Sequence, residues 1–215
     1  MRCYIYVGGE IDVNGITERP DAEDLVIAAD SGWDNARALA VSPTVLVGDF
    51  DSIKDKKIPD GVETYRVPKE KDLTDTQLAV EVALSRGARD LVIIGGLSGR
   101  VDHTLSNLGL LEHLESLHVC AVMTDGNNRV RFIRNNSTLV PRGNFQYLSL
   151  IVADKEAKGV EVLGCKYPLK KAKLVRTHQY AVSNELTGNC AMISVRRGGL
   201  FVIESMDKEN SYGKH

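Results

Sequence analysis

Two aspartates stand two residues apart in the segment GDFDS, residues 48–52, directly after an apolar run. If the strand continues, the side chains of Asp49 and Asp51 project to the same side, because side chains alternate along a strand. Two carboxylates side by side repel each other unless a cation lies between them. The segment therefore predicts a metal-binding position.

Other acidic residues also stand where apolar runs end or helices begin: Asp30 before Ser31, Asp72 and Asp75 in DLTD, and Asp102 after a glycine-rich turn. The carboxyl ends of parallel strands border the ligand crevice of an open α/β sheet, so we expect these acids on one rim. Many carboxylate oxygens with few nitrogen or sulfur ligands suit a hard cation, and Mg²⁺ bridging to phosphate oxygens is the usual case.

Each of these acids also has a purely structural explanation. Asp72 can cap a helix with Asp75 in its first turn, Asp30 and Ser31 can form another cap, and Asp51 can belong to an ordinary turn. Their joint placement on one predicted rim favours the site over four separate caps.

The turn GGLSGR, residues 95–100, lies between a predicted strand and a predicted helix. Its glycines (Gly95, Gly96 and Gly99) let backbone N–H groups approach an anion, and Arg100 can pair with a phosphate. A tight structural turn explains the glycines nearly as well. The turn matches neither the P-loop nor the G-x-G-x-x-G pattern. Lys71 precedes the acidic helix and can offset phosphate charge.

The first part of the chain alternates short apolar runs with helical patterns, which predicts an α/β class and a parallel, Rossmann-like sheet covered on both faces. The predicted helices are Thr74–Arg86 and Asp102–Leu117, and Trp33 suits either the core or a cover over a base. The predicted strands are Cys3–Val7, Leu25–Ala29, Thr44–Val47, Leu91–Ile94 and Val119–Met123.

After about Gly126 the apolar runs are short, alternate with polar residues and are separated by turn residues, which predicts a small antiparallel β-sandwich domain. We place the boundary between residues 1–134 and 135–215. The predicted strands there are Thr138–Val140, Tyr147–Val152, Gly159–Leu163, Ala191–Val195 and Leu200–Glu204.

Composition narrows the function class. The formal net charge is -2, with 27 basic and 29 acidic residues, which argues against a general nucleic-acid binder. The four cysteines form no C-x-x-C pair, so neither a zinc site nor a disulfide framework is expected, and a reducing cytoplasm is the simplest location. The first apolar run is too short for a signal peptide or a membrane span, so no membrane partner is expected.

Five motifs together resemble the thiamine pyrophosphokinase family, bacterial type: GDFDS at 48–52, DLTD at 72–75, GGLSGRVDH at 95–103, GCKYPL at 164–169 and SNE at 183–185. The resemblance implies a homodimer in which an α/β nucleotide-binding domain is followed by a β-sandwich and thiamine binds where the subunits meet. The implied reaction moves a pyrophosphoryl group from ATP to the hydroxyl of thiamine, with Mg²⁺, giving thiamine diphosphate and AMP.

The resemblance also implies a role for each matching residue. Metal ligands are Asp49, Asp51 and Asp75, and these three with Asp102 and Arg100 form the catalytic set. ATP is bound by Asp30, Ser31, Gly95, Gly96, Gly99 and Lys71. Thiamine is bound by Ser183 and Asn184, with Tyr180 as a candidate for the aromatic that covers its ring.

Two other functions fit the residues. One is a magnesium-dependent phosphoesterase or nucleotide hydrolase that uses the same acidic rim with a water nucleophile. The other is a non-catalytic nucleotide-binding protein, in which the acids are mostly helix caps.

Overall fold

The computed structural model describes residues 1–49, 59–66 and 73–207 of the 215-residue chain. It divides into two compact units, Met1–Gly126 and Asn127–His215. The predicted boundary, between Arg134 and Asn135, lies one strand further along the chain, because the strand that ends at Arg134 pairs within the second unit.

Among its described residues, the first unit contains six strands and three helices. Its helices are α1 (Gly32–Ala38), α2 (Asp75–Ser85) and α3 (Val101–Ser116). Its strands are β1 (Arg2–Tyr6), β2 (Leu25–Ala29), β3 (Val45–Gly48), β4 (Glu63–Arg66), β5 (Asp90–Ile94) and β6 (Cys120–Thr124).

These six strands form a parallel sheet in the order β4-β3-β2-β1-β5-β6. The central strands are buried over nearly their whole length, as expected for strands covered on both faces. The chain starts in the middle of the sheet and first builds towards β4. It then returns to the other side of β1 with β5. Strand order therefore reverses between β1 and β5, and in open α/β sheets the ligand crevice lies at such a reversal.

The second unit contains seven strands, all paired antiparallel, and no helix among its described residues. They are β7 (Asn128–Arg134), β8 (Ser137–Pro141), β9 (Tyr147–Val152), β10 (Glu156–Leu163), β11 (Leu169–Val175), β12 (Cys190–Arg197) and β13 (Gly199–Ser205). One set pairs in the order β7-β13-β9 and the other in the order β11-β10-β12-β8. Alternate residues of both sets form one apolar core, which includes Leu150, Val160, Ile193 and Val202. The predicted α/β domain followed by a small β-sandwich is confirmed.

Both predicted helices, Thr74–Arg86 and Asp102–Leu117, are confirmed to within a residue at each end as α2 and α3. The N-cap of α2 is Thr74 rather than Asp72: its Oγ1 accepts a hydrogen bond from Gln77 N at 3.2 Å, and the Gln77 side chain accepts from Thr74 N at 3.0 Å. This reciprocal arrangement satisfies two backbone donors at the helix start. Trp33 is 3% exposed and packs in the core of the first unit, which favours its structural role.

Candidate active site

The acids predicted from β2 and β3 lie at one edge of the parallel sheet. Asp30 follows β2 directly, and its backbone N–H donates to the carbonyl of Val47 in β3 at 2.9 Å. Asp49 follows β3 in the same way. A further acid, Asp125, is buried just after β6 and belongs to none of the quoted motifs.

The carboxylate of Asp30 lies against the backbone that precedes Asp49. Asp30 has a φ of 51° and Gly48 a φ of +135°, both in the left-handed half of backbone space. A Cβ added at Gly48 would come within 3.0 Å of Asp30 Oδ1. The glycine of GDFDS, the residue before Asp49, is therefore required both by its own conformation and by the neighbouring carboxylate.

Helix α1 starts directly against the end of β1. The backbone N–H of Trp33 donates to the carbonyl of Asp30 at 3.1 Å, and a Cβ at Gly32 would overlap the carbonyl oxygen of Tyr6. Ser31, predicted for ATP binding, makes no side-chain cap and instead lies beside Gly8, where an added Cβ would be 2.5 Å from its Oγ. Ser31 thus lies at the reversal point of the sheet.

The glycine-rich turn after β5 is hydrogen-bonded to the loop after β1. The N–H groups of Gly95 and Gly96 donate to the carbonyls of Thr124 and Gly8, at 2.8 and 2.9 Å. Both glycines have positive φ, and a Cβ at Gly95 would come within 2.5 Å of Val7 O. These two N–H groups are therefore occupied within the protein and do not point at an anion. Gly99, with a φ of 85°, has open space at the Cβ position and is the glycine of the turn that leaves room for a ligand.

Three polar side chains among the described residues connect these loops, and none of them was assigned a role from the sequence. Asn35 Nδ2 donates to the carbonyls of Val7 and Gly9, at 2.8 and 2.9 Å. Ser98 Oγ accepts from Glu10 N at 2.6 Å and donates to Glu10 O at 3.2 Å. Asn107, which is buried in α3, donates to Gly96 O at 2.9 Å. Side chains that pair with backbone groups distant in sequence carry no local signal by which they could be found.

Arg100 and Asp102 form a two-pronged ion pair at the start of α3. Arg100 Nε donates to Asp102 Oδ1 at 3.1 Å, and Nη2 donates to Oδ2 at 2.6 Å. The side-chain hydrogen bond from Arg100 lowers the pKa of Asp102 below its usual value, and the Asp102 carboxylate raises the pKa of Arg100 in return. Both side chains are well exposed, 74% and 64%, so an incoming phosphate can reach the guanidinium.

Asp75 is the first residue of α2, next to the Thr74 cap, where a carboxylate interacts favourably with the helix dipole. Helix α2 packs against β1, β2 and β3, and two of these strands, β2 and β3, are followed by Asp30 and Asp49. Asp51, Lys71 and Asp72 lie outside the described residues. Within the described part of the chain, no group of three or more His, Cys, Asp or Glu side chains could hold a metal ion.

In the second unit, Asn184, one of the two residues predicted to bind thiamine, lines an apolar pocket of about 230 Å³. Tyr167, Tyr180 and Asn184 line it, together with aliphatic side chains from β9, β10 and the start of β11. Ser183 is next in the chain and has a φ of 55°. Its N–H donates to Ser149 Oγ at 2.9 Å, and its hydroxyl has no hydrogen-bond partner among the described residues.

The Asn184 amide is engaged within the protein. Its Oδ1 accepts from Tyr167 N at 3.0 Å and its Nδ2 donates to Tyr167 O at 2.8 Å, which fixes the backbone of the tyrosine that lines the pocket. Asn184 therefore positions Tyr167. Tyr180 also lines the pocket, and its hydroxyl donates to Lys173 O at 3.2 Å, which fixes the orientation of its ring.

The comparisons with known proteins match both units in the order in which they occur. Residues 18–123 match the sequence model described as "Thiamin pyrophosphokinase, catalytic domain", and residues 136–200 match that of the "vitamin B1 binding domain" of the same enzyme. The chain belongs to the thiamin pyrophosphokinase family. The predicted family and the predicted class of enzyme, one that forms thiamine diphosphate, are confirmed, and the phosphoesterase alternative is not favoured.

Relatives within this family extend over nearly the whole chain. A Bacillus subtilis protein named thiamine pyrophosphokinase is 28% identical over 203 residues, which cover 91% of this chain and 92% of the relative. The crystal structure of thiamine pyrophosphokinase from Bacillus subtilis superimposes with a TM-score of 0.86 at 26% identity, covering 97% of this chain and 100% of the other. The crystal structure of a thiamin pyrophosphokinase family protein from Enterococcus faecalis superimposes with a TM-score of 0.83 at 27% identity, covering 97% of this chain and 100% of the other. No helix among the described residues is long and apolar enough to cross a membrane.

Proposed function

We propose that this member of the family uses ATP as its pyrophosphoryl donor, with the nucleotide bound in the first unit and thiamine in the second. The observation that carries this proposal is the edge of the parallel sheet where the Asp30 carboxylate lies against Gly48, the residue before Asp49. This edge lies within the residues that match the catalytic-domain model. Phosphates bind at such strand ends when a cation and donors offset their charge.

The donor chemistry of this edge fits Mg²⁺. Asp49 and Asp75 offer carboxylate oxygens, which Mg²⁺ prefers, and Asp51 from the same GDFDS motif would complete the set. We propose these three as the residues that hold the ion against the triphosphate. Bound magnesium would neutralise the phosphate charge and so make the β-phosphorus easier to attack.

The side chains around this edge bind and orient the donor. Arg100 is exposed, and its ion pair with Asp102 holds the guanidinium in one orientation. The guanidinium is therefore preorganised to pair with a phosphate. We propose contacts to ATP from Asp30, Ser31, Lys71 and the open Gly99. Gly95 and Gly96, whose N–H groups are occupied, would contribute by letting the loops after β1 and β5 approach each other.

In the proposed reaction the hydroxyl oxygen of thiamine attacks the β-phosphorus of ATP. The bond between that phosphorus and the oxygen bridging it to the α-phosphorus breaks, AMP leaves, and the hydroxyl hydrogen is released as a proton. In this step the residues of the first unit would orient the triphosphate and offset its negative charge, and no covalent intermediate with the protein would form. Thiamine carries a positive thiazolium ring, and a rim rich in carboxylates attracts a cation more readily than an anionic acceptor.

We propose that thiamine binds at the pocket lined by Tyr167 and Tyr180, with Ser183 contributed by the adjoining segment. Its walls are mostly apolar, as aromatic ligands require, and two tyrosines are available to cover a ring. The Ser183 hydroxyl can hydrogen-bond the aminopyrimidine, while Asn184 keeps Tyr167 in place.

We propose that the protein is a homodimer in which the acids at the edge of the parallel sheet and the thiamine pocket lie together at the subunit interface. Val101 and Leu105, one turn apart on α3 next to Arg100, are 71% and 62% exposed, which leaves an apolar strip uncovered beside the proposed phosphate site. We further propose a cytoplasmic location, which supplies ATP and Mg²⁺ and suits the four free thiols.

The test is incubation of the purified protein with ATP, Mg²⁺ and thiamine, followed by chromatography of all phosphorylated products. We expect AMP and thiamine diphosphate in equal amounts. Release of inorganic phosphate alone, or of ADP, would refute the proposed reaction.

The roles of the acids are tested by Asp49→Asn, which should lower turnover by about 100-fold or more because charge neutralisation at the triphosphate is lost. Asp60→Asn removes the same charge from an exposed turn of the same unit and should leave turnover unchanged. Equal turnover in the two variants would remove Asp49 from the site.

A further inference from the structure

The outer face of the strands β11-β10-β12-β8 carries a groove of about 700 Å³ that the proposed reaction does not use. We call it the basic groove. Four cationic side chains (Lys158, Lys171, Lys173 and Arg196) and the amides of Asn135 and Asn136 line it. We propose that the basic groove is a second anion-binding site, which takes a small oligophosphate such as pyrophosphate or tripolyphosphate. This inference does not rest on the proposed function.

The shape of the groove comes from irregular strand pairing. The register between β10 and β11 shifts on both sides of Val160, and Gly159 and Lys171 have positive φ, 65° and 47°. A Cβ added at Gly159 would come within 2.8 Å of Arg196 Cβ. The glycine therefore makes room for Arg196 to cross the strand, and the bulge turns what would be a flat sheet face into a hollow.

The positive charge of the groove is only partly compensated. Lys158 lies directly opposite Lys173 in the β10–β11 pairing, and like charges in that position repel each other. Glu156 forms ion pairs with both, and these hydrogen bonds lower the pKa of Glu156 to about 2. Among the described residues, the side chains of Lys171 and Arg196 have no hydrogen-bond or ion-pair partner, and Glu161 is the only carboxylate that lines the groove.

The two asparagine amides at the edge of the groove present donors. Asn135 Oδ1 accepts from Gly198 N at 2.9 Å, and Asn136 Oδ1 accepts from Ser137 N at 2.8 Å. One backbone N–H group thus occupies each oxygen, and the Nδ2 groups, which are donors only, can offer N–H groups to an anion. A site whose free groups are ammonium, guanidinium and amide N–H donors is chemically matched to phosphate oxygens.

The residues that line the groove, and the charge of the unit around it, indicate which class of anion it would bind. None of the described residues that line it is aromatic, so a nucleobase would find no ring among them on which to stack. The charge of the surrounding unit also favours an anion. Asn127–His215 carries 15 Lys and Arg against 7 Asp and Glu, whereas Met1–Gly126 carries 12 against 22. A small, highly charged phosphate chain fits this surface better than a nucleotide or a single strand of nucleic acid.

The experiment measures tripolyphosphate binding to the whole protein by isothermal titration calorimetry, with EDTA present so that no metal bridges the ligand to the acidic rim. We expect the double variant Lys171→Ser with Arg196→Ser to bind about tenfold more weakly than the parent, since two unpaired charges are lost. The matched control is Lys170→Ser with Arg197→Ser, which removes the same charge from neighbouring exposed residues that do not line the groove. It should keep the parent affinity to within about twofold.

Equal weakening in both double variants would overturn the site, as would absence of binding to the parent at millimolar tripolyphosphate. Tighter binding of an oligonucleotide with the same number of phosphates would also overturn it. Should a variant fail to fold, NMR titration of the parent serves instead. The backbone amide signals of Asn136, Lys171 and Arg196 should shift on addition of tripolyphosphate, while those of Asp30 and Gly95 stay in place. The reverse pattern would place the anion in the first unit and refute the proposal.

Discussion

The side-chain amide of Asn107, buried in α3, donates a hydrogen bond to the carbonyl of Gly96 in the turn after β5. Asn107→Ala would leave that carbonyl without its partner in a buried position, which costs about 1–3 kcal/mol of unfolding free energy. It would also loosen the turn that precedes Arg100, so we expect a lower kcat. Urea unfolding and steady-state kinetics measure the two effects.

Ser106→Ala, at the preceding and exposed position of α3, is the control and should change neither quantity. A variant at Asn107 with normal stability and normal kcat would show that the hydrogen bond does not position the turn. Asn107→Gln, which keeps an amide donor, should recover part of kcat.

A second prediction concerns Gly48 and Asp30. Gly48→Ala forces an ordinary residue into a φ of +135° and also places a Cβ 3.0 Å from Asp30 Oδ1. The backbone strain alone should cost about 1–3 kcal/mol. Displacement of the Asp30 carboxylate should in addition lower turnover, as measured with saturating ATP and thiamine.

Gly61→Ala separates the two effects. Gly61 has a φ of +93°, and a Cβ there would meet nothing within 4 Å. This control should lose stability through strain and keep its turnover. If Gly48→Ala keeps its turnover as well, Asp30 does not depend on the glycine for its position.

How far the sequence predicts the fold follows from where its apolar residues lie. β1, β2 and β5 are unbroken apolar runs, because both faces of a central parallel strand are buried. β4 is an exposed edge strand with the sequence ETYR, and β11 has three lysines in seven residues. Neither has an apolar pattern to detect, since their backbone pairing rather than burial makes them strands.

The site was predictable to a similar degree. Parallel strands end at one edge, so acids that follow strands in the sequence lie at that edge, as Asp30 and Asp49 do. The hydrogen bonds that fix the loops were not predictable. Ser98 pairs with the backbone of Glu10 at a sequence separation of 88, and nothing near either residue indicates it. The engagement of the Asn184 amide with Tyr167 is hidden for the same reason.

A third prediction follows from the ion pair of Arg100 and Asp102. Arg100 lowers the pKa of Asp102, chiefly through its side-chain hydrogen bonds, so Arg100→Ala should raise that pKa towards its usual value. The measurement is a carbon-13 NMR titration of the Asp102 carboxyl. An unchanged titration curve would mean that the two side chains do not pair in solution.

The pH dependence of stability has a definite sign. Because the pKa of Asp102 is lower in the folded protein than in the unfolded chain, the pair stabilises the fold above the unfolded pKa and stops doing so as pH falls through the folded value. Any stability difference between the parent and Arg100→Ala should therefore disappear in acid. The difference at neutral pH should itself be small, since both side chains are exposed.

The fourth prediction separates Ser183 from Asn184, which the sequence places together in SNE. Ser183 is free to contact thiamine, so Ser183→Ala should raise the KM for thiamine about three- to tenfold with the KM for ATP unchanged, because one neutral hydrogen bond is lost. Its unfolding free energy should stay close to that of the parent, since the Ser183 hydroxyl fixes no other part of the loop.

Asn184→Ala should behave differently. It removes both side-chain hydrogen bonds to the backbone of Tyr167, so we expect a lower unfolding free energy together with a higher KM for thiamine, as the wall of the pocket loosens. Asn184→Asp keeps the acceptor for Tyr167 N but loses the donor to Tyr167 O, and should lie between the parent and Asn184→Ala in both measurements. If Ser183→Ala leaves the KM for thiamine unchanged while Asn184→Ala raises it without loss of stability, the roles are exchanged: Asn184 would then contact the substrate directly and Ser183 would only shape the loop.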